Sequence, residues 1–152
     1  MSFLLNSLNG FIYLKRDIFK KALILFDIKY KQHTFSFNNA WLSGFFEGDG
    51  TVNINRVNYQ VMLSISQKKK DILNLILKYY GGFLFYDKAW NGFRWSITSQ
   101  KDLFLIFQYF TLYPLKSDKH ADIVSAKRFF RYKLMSYHLD SSKHSKLNHY
   151  KI

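Results

Sequence analysis

Residues 51–66 alternate between apolar and polar side chains, and no feature of the chain constrains its fold more. In "TVNINR" Val52 and Ile54 fall on one side, with Thr51, Asn53 and Asn55 on the other. In "NYQVMLSISQ" Val61, Leu63 and Ile65 oppose Gln60, Met62, Ser64 and Ser66. A period of two means strands with one face buried, and the short polar break between them predicts a hairpin. A second pair follows in "FLFYDKAWNGFRWSIT", with Asn91-Gly92 read as its turn. Between the pairs, "KKDILNLILKYY" has helical spacing and stops at Gly81-Gly82.

Helices flank this core. Asn39 is a candidate N-cap for a helix from Ala40 to about Gly48. Ser99 with Asp102 reads as a capping box opening a helix that Pro114 stops. "DKHADIVSAKRFFRYKL" is a last helix, with Ile123, Phe130 and Leu134 toward the core. The expected fold is α+β, a four-stranded antiparallel sheet with helices on one face, over residues 39–137. Residues 1–38 read as a helical lead segment and linker, in which Ile18, Ala22, Leu25 and Phe26 share a side. Residues 138–152 read as a basic polar tail.

The charge points to an anionic partner. Lys and Arg outnumber Asp and Glu 23 to 10 in 152 residues, a net charge of +13. Nucleic acid is the default partner for such a chain. The absence of cysteine removes disulfides, thiolate metal sites and thiol nucleophiles. No apolar run is long enough for a membrane span, and the best candidate, 22–28, contains Asp27. Abundant Lys, Asn, Ile, Phe and Tyr use AT-rich codons, which fits a mitochondrial gene. The polar sheet face, with Thr51, Asn53, Asn55, Arg56, Gln60, Met62, Ser64 and Arg94, is a candidate for reading base edges. The alternation fits an ordinary solvated face equally well. Lys127, Arg128 and Arg131 on the last helix are further candidates for contact with nucleic acid.

The stretch "LSGFFEGDG" (42–50) is the second clue. A glycine inside a helix costs about 1 kcal/mol relative to alanine. Gly44 and Gly48 share a face and leave a flat strip on which another helix can pack closely. Leu42 and Phe45 are counted with them as interface candidates. Asp49 follows at the helix end, where backbone carbonyls are unpaired and the dipole is negative. Carboxylate and carbonyl oxygens are ligands that Mg²⁺ takes. An acid followed by glycine after a helix is also an ordinary turn.

The nonapeptide resembles the signature of the LAGLIDADG homing endonucleases. Leu42, Gly44, Glu47, Asp49 and Gly50 fall on its key positions, with Glu47 in place of the usual first aspartate. The resemblance extends over residues 39–137 in the order αββαββα. It implies that the motif helix pairs with a second one, and that Asp49 binds a divalent metal, Mg²⁺. It makes Gln67, at a strand end, a candidate for the water or metal network. It also implies an active-site lysine before the last helix, Lys116 or Lys119.

This chain carries one motif, preceded by about 40 residues, and so resembles the C-terminal half of a two-motif member. The resemblance therefore implies half of a double-strand DNA endonuclease acting with a second half, from another chain or a second copy. Because some members bind RNA as maturases, the alternative it admits is a structured-RNA or ribonucleoprotein role without cleavage.

Overall fold

The computed structural model describes residues 16–29 and 38–135; the expected polar tail and most of the linker lie outside them. The chain divides into two compact units, Met1–Ser36 and Phe37–Ile152.

The first unit contributes helix α1 (Arg16–Leu25). Its buried side is Phe19 and Leu23, with Ala22 and Ile28 packed against them. The expected stripe is thus displaced by one residue, since Ile18, Leu25 and Phe26 are exposed. Apolar residues occur on two adjoining faces of this helix, and spacing alone cannot choose between them.

The second unit runs α2 (Trp41–Asp49), β1 (Gly50–Asn55), β2 (Gln60–Gln67), α3 (Asp71–Tyr80), β3 (Phe83–Asp87), β4 (Gly92–Ile97), α4 (Gln100–Leu112) and α5 (Lys119–Leu134). The strands form one antiparallel sheet in the order β1-β2-β4-β3. The expected α+β architecture is therefore the observed one. Val61, Leu63, Ile65, Trp95 and Ile97 are buried on one face. Against that face lie α2, α3 and α5, while α4 packs on α3 and α5. Each large apolar side chain so buried contributes about 1.5–3 kcal/mol.

Local chemistry sets the joints. At the end of α3, Gly81 and Gly82 have φ of 72° and 85°. A Cβ at Gly82 would come within 2.4 Å of the Ser96 carbonyl oxygen. This turn also lets the Gly81 carbonyl accept from the buried Trp95 indole at 2.8 Å. At the start of α4, the Ser99 hydroxyl accepts from the Asp102 amide. The reciprocal half of the capping box is absent, because the Asp102 carboxylate accepts from Gly82 N instead.

Two further expectations are corrected. The N-cap of α2 is Ala40, one residue later than expected, although Asn39 Oδ1 still accepts from the amide of Trp41 at 2.9 Å. The β3–β4 connection is not a two-residue Asn-Gly turn. Asp87 pairs with Gly92, so residues 88–91 form the loop and Gly92 begins β4. Asn91 alone is left-handed, with φ 56°. Asp87 Oδ1 accepts from Ala89 N, a local turn that ends the strand early.

Candidate functional site

The site is built at the C-terminal end of α2. Leu42 and Phe46 are fully buried and fix how the helix lies on the sheet. One turn apart on the other side, Gly44 and Gly48 are exposed. A Cβ added at either would meet nothing within 4 Å. Trp41 and Phe45 lie along the same side, their rings stacked at 4.9 Å and 22°. The strip is therefore Trp41, Gly44, Phe45 and Gly48. Leu42 leaves the list of interface candidates: its leucine chain is wholly consumed by the domain's own core.

Asp49 is the last residue of α2 and is exposed. β1 starts at once with Gly50, where a Cβ would stand 2.3 Å from the Phe46 ring. Only glycine lets the strand leave the helix across that ring. The tight exit brings Asp49 beside the far end of β2, where Gln67 Nε2 donates to Asp49 Oδ2 at 2.6 Å. Two residues 18 apart in sequence thus meet at one point.

Lysine enters from the opposite side. Lys119, the first residue of α5, donates from Nζ to the carbonyls of Glu47 (2.7 Å) and Phe46 (3.3 Å). A cation there satisfies otherwise unpaired carbonyls and complements the helix dipole. Lys116 meets α2 through its backbone. Its backbone amide donates to Glu47 Oε1.

Glu47 is the residue that sequence reasoning left without a role. Its carboxylate also accepts from Ser117 N at 3.0 Å and from the Ser117 hydroxyl. The Ser117 hydroxyl bond, followed by the Lys116 amide bond, holds its pKa below the usual carboxylate range. Glu47 therefore clasps the loop before α5 to α2 and, through its own carbonyl, receives Lys119. Its partners are about 70 residues away, so no local signal reveals them.

The sheet face away from the helices carries the other candidates. Thr51, Asn53, Asn55, Arg56 and Gln60 are exposed, and Met62 is half-buried. Asn55 Oδ1 is engaged by the amides of Val57 and Asn58. Ser64 is buried. Arg94 is not a free cation: it pairs with Asp87 at 3.4 Å and donates to Ser66 at 3.2 Å.

The helical candidates form a separate group. α5 lies in the helical layer, on the other side of the sheet from this face. Arg128 and Arg131 are exposed there. Lys127 is half-buried, donates to Thr111 Oγ1 at 2.8 Å, and has its pKa lowered by burial. Leu134 is 51 % exposed, against the core position expected for it. The helix ends there.

Among the described residues no three His, Cys, Asp or Glu side chains gather into a metal cluster. Asp49 supplies one carboxylate, and its bond from Gln67 occupies one oxygen. The donors are of the hard oxygen type that suits Mg²⁺, but they amount to half a site.

A motif helix with a glycine strip, ending in an exposed aspartate and followed by two sheet hairpins, resembles half of a homing endonuclease. The family model for the LAGLIDADG endonuclease matches residues 42–130, and the chain belongs to that family. An intron-encoded RNA maturase, bI4, of Saccharomyces cerevisiae is 30% identical over 136 residues, covering 84% of this chain and 21% of that protein. An intron-encoded DNA endonuclease, ai2b, of Dictyostelium discoideum is 30% identical over 105 residues, 64% of this chain and 40% of that one.

Among solved structures, the I-LtrWI LAGLIDADG homing endonuclease bound to target DNA superposes with TM-score 0.64 at 22% identity, over 96% of this chain and 55% of its own. The meganuclease I-CpaMI bound to uncleaved DNA gives 0.60 at 25%, over 75% and 43%. The chain thus spans between a fifth and two fifths of the two curated relatives. It is a single-motif LAGLIDADG domain resembling half of a homing endonuclease.

Proposed function

We propose that this domain is one half of a site-specific, divalent-metal-dependent DNA endonuclease that acts with a second motif-bearing half. The observation that carries the reading is the bond from Gln67 to Asp49, with Lys119 seated on the Glu47 carbonyl, at the end of a helix whose outer face is open. Pairing of two such helices along Trp41, Gly44, Phe45 and Gly48 brings a second carboxylate to Asp49. Asp49 would hold Mg²⁺ there. A bound Mg²⁺ supplies activated water and neutralises charge on the departing oxygen of a phosphodiester.

The chain's own groups do the rest. Gln67 orients the Asp49 carboxylate. Lys119 holds the end of α2 and adds positive charge beside the scissile phosphate. The open sheet face, with Asn53 and Gln60 at its exposed end, reads base edges, while the chain's net positive charge draws in the phosphate backbone.

The test is strand cleavage of a supercoiled DNA carrying the target, by this domain with its second half, with and without Mg²⁺. Asp49→Asn keeps the size and removes the charge, so cleavage is expected to be lost while DNA binding persists. Cleavage at the wild-type rate by Asp49→Asn would remove Asp49 from the mechanism.

A second reading rests on the maturase similarity, which covers 84% of this chain, the same share as the similarity to the intron-encoded DNA endonuclease ai2a of Dictyostelium discoideum. On that reading the same domain binds structured RNA, as a maturase or within a ribonucleoprotein. RNA that co-purifies with the chain, together with no cleavage by the paired halves, would favour it. Relatives named as intron-encoded, one of them from a cox1 intron, support a mitochondrial gene for this chain as well.

A further inference from the structure

The open face of the sheet divides down its middle. On β1 and the start of β2 it carries Thr51, Asn53, Asn55 and Gln60, all exposed. On β3 it carries Phe83 and Phe85, 47 % and 39 % exposed. Their rings stack at 6.1 Å with 25° between planes. β3 is an edge strand, where exposed aromatic side chains are a liability unless they meet a partner.

The surroundings say what kind of partner. Arg94 stands directly across from Phe85, its guanidinium 5.9 Å from the ring centre. With Asp87 balancing its charge and Ser66 fixing its Nε, Arg94 is a flat plate beside the rings rather than a phosphate clamp. Ser96 stands across from Phe83. Its hydroxyl is buried, and it is the polar side chain of this half of the face left without a hydrogen-bond partner among the described residues.

A nucleobase offers a flat face to such rings and hydrogen-bonding edges beside it. Base–aromatic stacking serves any base, and a chain of net charge +13 concentrates polyanions. Within a duplex the faces are hidden in the stack, and only edges are offered. We propose that Phe83 and Phe85 form a stacking site for unpaired bases. The β3–β4 half of the sheet then takes single-stranded nucleic acid, while the β1–β2 half reads base edges. The inference rests on the sheet being the nucleic-acid face and is independent of cleavage.

The experiment uses the full chain and a short mixed-sequence single-stranded RNA carrying 2-aminopurine, whose fluorescence is quenched by stacking. A duplex DNA of the same sequence is the second probe. Phe85→Leu keeps an apolar side chain and removes the ring; circular dichroism checks that the fold persists. Its single-strand affinity is expected to fall roughly 5- to 150-fold, the range for one stacked base. Quenching should weaken, duplex affinity should hold, and Phe85→Tyr should restore both single-strand readouts.

Single-strand binding by Phe85→Leu at wild-type strength overturns the proposal. So does an equal loss for duplex, which would mark Phe85 as an apolar duplex contact. Duplex binding by the wild type without any quenching removes this inference and leaves the groove reading standing. Binding of neither probe removes both.

Discussion

The two sides of α2 are built on opposite principles within nine residues. Leu42, Ser43 and Phe46 are buried in the domain. Gly44 and Gly48, on the other side, are exposed, and a Cβ at either would meet nothing within 4 Å. The buried side fixes where the helix lies, and the open side leaves room for a second helix. The two acids that follow divide the same way. Glu47 is engaged by three donors from the loop before α5, while Asp49 is exposed and takes one bond from Gln67. One acid is spent on holding the domain together, and the other stays open to solvent.

The largest stability change is expected on the buried side. Phe46 is fully buried, packs edge-on against Phe110 at 5.1 Å, and sits under Gly50. Phe46→Ala should cost about 3–5 kcal/mol, the usual range for a deleted core phenylalanine. Urea unfolding of the isolated domain measures it. A cost under about 1 kcal/mol, the size of a surface change, would mean that α2 does not rest on this ring.

On the open side the sign reverses. The Cβ added by Gly44→Leu meets no atom within 4 Å, and the change replaces a poor helix former by a good one. The domain alone should gain up to about 1 kcal/mol. Pairing with a second motif helix should be lost, because the side chain fills the space that a partner backbone needs. Sedimentation of the variant with the second half reads the pairing, and unfolding reads the gain. A variant that pairs normally would show that the strip faces solvent in the working molecule.

What the sequence revealed follows the range of the interactions. Both hairpins and the order of helices were legible, because alternation and helical spacing are local. So was the pairing of Asp49 with Gln67 as candidates, through the resemblance of both segments to one family. The bonds of Lys119 to the carbonyls of α2 were not legible, since they join residues more than 70 apart in sequence. The pairing of Arg94 with Asp87 was missed because it depends on the register of β3 against β4. A four-residue loop, rather than a two-residue turn, sets that register. Leu42 was misplaced for another reason: leucine at a motif position serves a core as readily as an interface.

The smallest effect is expected at Glu47, and it depends on pH. Hydrogen bonds to its ionised form hold its pKa below 4.5, its ordinary value. A carboxylate with a depressed pKa contributes stability above its unfolded pKa and loses it as pH falls through the folded one. Glu47→Gln keeps an acceptor for Ser117 and Lys116 but removes the charge. The variant should therefore melt slightly below the wild type at neutral pH. The gap should close as the pH falls below 4.5 and through the lowered pKa of the folded state. Thermal melts across that range measure it, and the effect is small because the carboxylate is partly open to water. If the gap stays constant with pH, the clasp is held by shape and hydrogen bonding alone, and the charge of the first acid has no part in fixing the loop that delivers Lys119.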